Sequence, residues 1–210
     1  MAQDLPVEWA VRAESLSREA DMWRIETADR SFTANTVLVA VPAEQAHDLL
    51  SDPAATLAHI AGSVVSAPCW AVMVAFADRL AIANDAMRDP AAPISWAARN
   101  SAKPGRAGEE CWVLHASPER SRELIDLPKE EVGPHLLADF FAQMSTMPVE
   151  PIHLAAHRWL YAMPASQKGE PALYETSQGI GIAGDYLHSP RVEGAWLSGN
   201  ALAQRVLSAK

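Results

Sequence analysis

The chain has 210 residues, 49% hydrophobic and 20% charged, a size and balance that allow one large or two small domains with a real core and argue against disorder. Its formal net charge of −9 leaves no basic face to follow a phosphate backbone, so nucleic acid is not an expected partner. Two cysteines, Cys69 and Cys111, form no disulfide framework and no CxxC. The N-terminal stretch lacks a signal-peptide pattern and no apolar run reaches 18 residues, so the expectation is a cytoplasmic, membrane-free protein.

In chain order, residues 7–11 and 22–27 read as short strands, with Asp21 in the turn before the second. Residues 36–41 (TVLVAV) are a continuous apolar and β-branched run that suits a strand buried on both faces. Pro42 then opens a short helix over 43–50, where its missing N–H costs nothing. The run at 67–77 reads as a central strand. Residues 93–99 and 110–115 read as a hairpin with a long turn-rich connection. Ser117 and Pro118 form an N-cap and first-turn pair. Leu136, Leu137, Phe140, Phe141 and Met144 then mark one helical face within 134–147. Residues 152–162 return to strand character, 172–183 hold one or two further strands, and a helix runs from about Gly194 to Leu207. Irregular alternation with several adjacent strands predicts an α+β (mixed α/β) fold rather than a pure βαβ array.

Residues 179–184 (GIGIAG) match GxGxxG literally. A dinucleotide fingerprint needs a helix opening inside it, and Ser189-Pro190 interrupts any such helix. The match also ends 26 residues before the C-terminus, too close for a following βαβ unit. These glycines are better read as places where a strand comes close to another backbone or a ligand. The same region, taken more widely, places a Gly184-Asp185 pair at a strand end and a helix start at Glu193-Gly194-Ala195. A carboxylate there can accept hydrogen bonds from ribityl hydroxyls. The unpaired N–H groups of the helix start suit a flavin pyrimidine oxygen. A plain strand–loop–helix with a glycine near its cap fits the residue types equally.

His153-xxx-His157 would pair two ligands on a helix, but on a strand they stand about 13 Å apart, so no metal is expected. By period two, His153, Ala155, His157, Trp159 and Tyr161 share one strand face. That face either walls a substrate site, through Trp159 and Tyr161, or packs on a helix. Neither cysteine has neighbours that suggest a nucleophile, and no catalytic residue can be named.

The stretch GIAGDYLHSPRVEGAWLSGNALAQRVL resembles the C-terminal FAD signature of the flavin amine oxidase superfamily, in particular its bacterial renalase-like branch. ANTVLVAVPAEQAHDLL and HRWLYAMP resemble two further segments of that family. Together they extend the resemblance from about Val7 to Leu207. It implies FAD as cofactor, with Asp185 at the ribityl chain and Gly184, Glu193, Gly194, Ala195 and Trp196 around the flavin. It also implies a small-molecule substrate, a dihydro form of NAD(P) or an amine, whose hydride passes to flavin and then to O₂. The implied organisation is 1–42 and 166–210 in an FAD-binding, Rossmann-like domain, with 43–165 forming an antiparallel-rich substrate domain. The family's N-terminal GxGxxG unit has no counterpart before Val7. The expectation is therefore a truncated chain, which exposes sheet edges that a homo-oligomer could cover and which, as the alternative reading, is a cofactor-free remnant without activity.

Overall fold

In the computed structural model, residues 5–106, 108–165 and 169–209 are described. The N-terminal part supplies four strands, β1 (Ser15–Glu19), β2 (Met22–Glu26), β3 (Ser31–Ala34) and β4 (Val37–Val39), then helices α1 (Ala43–Leu50) and α2 (Ala55–Gly62). The middle carries β5 (Ser66–Phe76), β6 (Ala86–Arg88), β7 (Ile94–Arg99), β8 (Glu110–Ala116), α3 (Pro118–Glu123), α4 (Lys129–Gln143) and β9 (His153–Pro164). The C-terminal part adds β10 (Ala172–Glu175), β11 (Ile180–Ala183), α5 (Asp185–His188) and α6 (Val192–Ser208). This is the mixed α/β fold with antiparallel sheets that the element pattern predicts. The chain divides into two compact units, one made of Met1–Ser66 with Pro164–Lys210 and the other of Ala67–Met163.

In the first unit, β1, β2 and β3 form an antiparallel meander, and β10, β11 and β4 form a second sheet in that order. β11 pairs antiparallel with β10 and parallel with β4, joining the C-terminal strands to a strand more than 140 positions earlier. The core comprises Leu16, Trp23 and Val39, the inner faces of α1 and α2, and Ile180, Ile182 and Tyr186. Trp23 is fully buried, and its indole N–H donates to the Gln178 carbonyl at 2.7 Å. Arg18 donates to the same oxygen. Gly179 follows at φ +67°, where a Cβ would stand 2.6 Å from the Asn35 carbonyl, so the turn into β11 admits glycine alone. Gly181 likewise lies against the Leu173 carbonyl and Leu202. The glycines of the GxGxxG match thus serve close packing of strand on strand and helix.

The second unit is a five-stranded sheet in the order β6-β7-β8-β5-β9. Alternation decides its two faces. Trp70, Val72, Val74 and Phe76 of β5 and Trp112, Leu114 and Ala116 of β8 point to one side, where they bury against Val132, Leu136, Leu137, Phe140 and Phe141 of α4. The Phe76–Phe141 and Trp112–Phe140 ring pairs sit in this layer, with centroids 5.9 and 5.3 Å apart. Gly133 of α4 lets the helix approach Leu154 of β9. At the end of this core the fully buried Arg99 guanidinium donates to Glu110 at 2.8 Å, to the Ile82 carbonyl at 2.8 Å and to Asp85. Glu110 also accepts from Trp112 Nε1 at 2.9 Å and from the Leu80 N–H at 3.3 Å.

Several expectations change. Residues 7–11 form no strand: Ala10 sits at φ 56°, which breaks the extended run, and the first strand is the mostly polar β1. The 36–41 run is a strand only over Val37–Val39, and Leu38 and Val41 are exposed rather than buried on both faces. The helix expected within 134–147 begins earlier, at Lys129, and holds Pro134 inside it. The last helix begins at Val192, and α2, β3, β6 and α5 have no counterpart among the predicted elements. The hairpin of β7 and β8 is present as an antiparallel pair, although Ala107 of its connection lies outside the described residues. Ser117 caps α3 as read, its hydroxyl accepting the Arg120 N–H at 3.1 Å. Replacing it with alanine is expected to cost about 1 kcal/mol in urea unfolding.

Candidate functional site

Two places hold the residues singled out in the sequence. The first is the corner where β11 runs through α5 into α6. Gly184 precedes α5 in extended backbone, its N–H donating to Ser198 Oγ at 2.8 Å. Ser198 is fully buried and donates in turn to the Pro171 carbonyl at 2.5 Å, which ties α6 to the end of β11 and the start of β10. Asp185 opens α5 half-buried. Burial raises its pKa above the usual carboxylate range, although backbone N–H groups of Tyr186 and of Asp185 itself partly offset this.

The entry to α6 follows directly. Arg191 stands at the N-cap in extended backbone with no side-chain cap, so the N–H groups of Val192, Glu193 and Gly194 have no partner within the helix. Glu193 complements the positive end of a 17-residue helix. Glu193, Ala195 and Trp196 are exposed, while Gly194 is buried. A Cβ on Gly194 would stand 2.0 Å from the Ser189 carbonyl, so this glycine is fixed by contact with its own loop. The absence of a side chain at Gly184 has a similar cause, because the Tyr186 ring would lie 2.2 Å from its Cβ. The six residues named from the sequence thus lie along one strand–turn–helix segment. Ser189 and Ser198, which hold that segment together, were read in the sequence without a role in the site. Their signal was only a serine beside Pro190 and another beside Gly199.

The second place is a cavity of about 620 Å³ on the sheet face of the second unit that points away from α4. Trp159 and Tyr161 of β9 line it together with Trp96 of β7, His115 of β8, Cys69 of β5 and Arg88 of β6. The volume is that of a pocket for a drug-sized ligand. Of the two uses read for the β9 face, the helix contact falls to the opposite side, where Leu154 and Ala156 join the core. Trp159 is 56% exposed and Tyr161 38%. Trp96 and His115 meet with ring centroids 4.8 Å apart. Burial lowers the His115 pKa, which keeps its imidazole neutral at physiological pH. Cys69 is a thiol rather than a thiolate: burial pushes it up to about 11, and its Sγ lies 3.5 Å from the Trp70 carbonyl and 3.7 Å from that of Ala116.

The sequence profile of the flavin containing amine oxidoreductases matches residues 1–207, almost the whole chain. The chain belongs to this family. The family is flavin containing, and FAD is the cofactor it implies here. Solved structures share the fold. A candidate protoporphyrinogen oxidase from Exiguobacterium sp. 255-15 superposes with a TM-score of 0.73 at 17% identity, covering 94% of this chain and 47% of that one. Cyclohexylamine oxidase from Brevibacterium oxydans IH-35A gives 0.65 at 12% identity, over 97% and 48%. Putrescine oxidase bound to putrescine gives 0.67 at 12% identity, over 94% and 48%. The chain spans about half the length of these structures. No helix among the described residues is long and apolar enough to cross a membrane.

Proposed function

We propose that the chain is the flavin- and substrate-facing part of an FAD-dependent oxidoreductase of renalase type. In this reading the first unit contributes contacts to the ribityl and isoalloxazine groups, and the second unit is the substrate domain. The observation that carries it is the β11–α5–α6 corner. It offers the uncapped start of a long helix, a half-buried carboxylate at Asp185 and an exposed indole at Trp196. These donors and this acceptor suit the polar edge and hydroxyl chain of a flavin, so the residues present fit the group. Bound flavin supplies the hydride acceptor and the onward route of electrons to O₂.

This chain's own residues would bind and orient. Asp185 would accept hydrogen bonds from ribityl hydroxyls, the N–H groups at Val192, Glu193 and Gly194 would donate to the pyrimidine edge, and Trp196 would shield it from water. The substrate, a dihydro form of NAD(P) or an amine, lies against Trp159 and Tyr161. No side chain at that wall is assigned an acid or base role, since hydride chemistry of this kind need not use one.

The purified protein is expected to be yellow, or to become so when FAD is added, with a visible flavin spectrum that survives gel filtration. Asp185→Asn keeps the shape and removes the charge. It is expected to weaken FAD about tenfold or more in a fluorescence titration, as loss of a hydrogen bond to a charged group does. A colourless chain that stays colourless with FAD would establish the cofactor-free alternative instead.

A further inference from the structure

We infer that the cavity of the second unit selects planar ligands carrying an anionic group, with Arg88 as the residue that sets this preference. The inference rests on the reading of that cavity as the substrate site and deepens it. Trp96, Trp159 and Tyr161 present three aromatic rings in one cavity, and neutral His115 adds a fourth flat surface. Such walls favour a flat, unsaturated ligand that can stack offset or edge-on. They would also accept an organic cation through the ring faces, so the charge of the lining decides between the two.

That charge is positive. Among the described residues the lining contains no carboxylate, and Arg88 is its one permanently charged side chain. Arg88 is exposed and takes part in no ion pair, hydrogen bond or ring contact among the described residues. Arg99 and Arg120, by contrast, each meet two carboxylates. A free guanidinium at an aromatic cavity is a planar fork awaiting a carboxylate or phosphate. The same charge repels an ammonium ligand, for which the described lining offers no counter-ion. The net charge of −9 opposes anions only at long range and is screened beyond about 8 Å at physiological salt. The fork therefore governs a ligand already seated on the rings. Its strand β6 pairs Arg88 directly with Trp96 of β7, which roots the side chain next to the stacking surface.

Calorimetric titration of the full chain with three two-ring probes of one shape tests this: 2-naphthoate, its neutral amide, and 2-naphthylmethylamine. The anion is expected to bind about tenfold more tightly than the amide, and the ammonium most weakly. Arg88→Gln should remove most of the difference between anion and amide, weakening the anion far more than the amide. Arg88→Lys should retain part of the preference, and Trp159→Leu should weaken both ligands several-fold. Both positions are exposed, so neither change threatens the core. Tightest binding of the ammonium, an undiminished preference in Arg88→Gln, or no binding of any probe would overturn the inference. The visible spectrum of the same sample separates this from the flavin reading. A colourless chain that still prefers the anion through Arg88 sinks only the latter, and a yellow one that prefers the ammonium sinks only the former.

Discussion

Glu110→Ala is expected to be among the most damaging single substitutions in the second unit, lowering its stability by about 3–5 kcal/mol and its midpoint by roughly 12 °C or more. The reason is the company Glu110 keeps. Its carboxylate, 3% exposed, is the common acceptor for Arg99, Trp112 and the Leu80 N–H. Truncation leaves a guanidinium with no exposure facing an apolar hole, with Asp85 as its one remaining carboxylate. The cost is that of an uncompensated buried charge more than of the lost pair itself. Two further results distinguish this from a simple cavity. Arg99→Met with Glu110→Leu should be less destabilising than Glu110→Ala alone, because both charges leave together. Stability should also depend on acid in a way that Glu110→Gln abolishes. Burial acts to raise the Glu110 pKa, but hydrogen bonds from Trp112 and Arg99 and the Arg99 charge outweigh it and hold the carboxyl below its ordinary range. A depressed folded-state value means stability that is full above the ordinary value of about 4.3 and lost as pH falls through the lower, folded one. Urea midpoints that do not diverge between wild type and Glu110→Gln across that acid range would count against this account.

How much of this could be read from the sequence depended on whether the cause was local. Helix α1 was legible to the residue, because Pro42 sets its start and its apolar positions follow one face. Strand β5 and the α3 cap were legible for similar reasons. Strand β1 was not, since of its five residues only Leu16 is buried and the strand exists through pairing with β2. Helix α2 followed Asp52-Pro53 with an apolar composition that gave no clear face. At the candidate sites the same division holds. Trp159 and Tyr161 were found by period two along one strand. Arg88, Trp96 and His115 reach the same cavity from three other strands, and sheet order has no local signature. Trp96 was further hidden by the irregular register of β7. Ile94 pairs with Ala116 and Trp96 with His115, so strict alternation from Ile94 would have put Trp96 in the core. The Ser95 hydroxyl fills that irregularity by donating to the carbonyls of His115 and Ala116.

Two glycines of α6, five residues apart, are expected to respond to alanine with opposite signs. At Gly194 the added Cβ would lie 2.0 Å from the Ser189 carbonyl oxygen and 2.4 Å from its Oγ. That carbonyl cannot step aside freely, because it accepts the Arg191 N–H at 2.7 Å and so shapes the helix entry. Relief requires α6 and the Ser189 turn to part by more than an ångström, which strains the hydrogen bonds of Ser198 to Gly184 and Pro171 further along the helix. Overpacking of this kind costs about 3 kcal/mol. Because the displaced segment is the proposed flavin contact, Gly194→Ala should lose FAD as well as stability. At Gly199 a Cβ meets nothing within 4 Å and the backbone is already helical, so alanine only removes unfolded-state freedom. Gly199→Ala should therefore gain up to about 1 kcal/mol and leave flavin retention unchanged. Parallel urea melts and FAD titrations of the two variants decide the matter. Equal effects at both positions would show that helix propensity, and not the contact with Ser189, governs this corner.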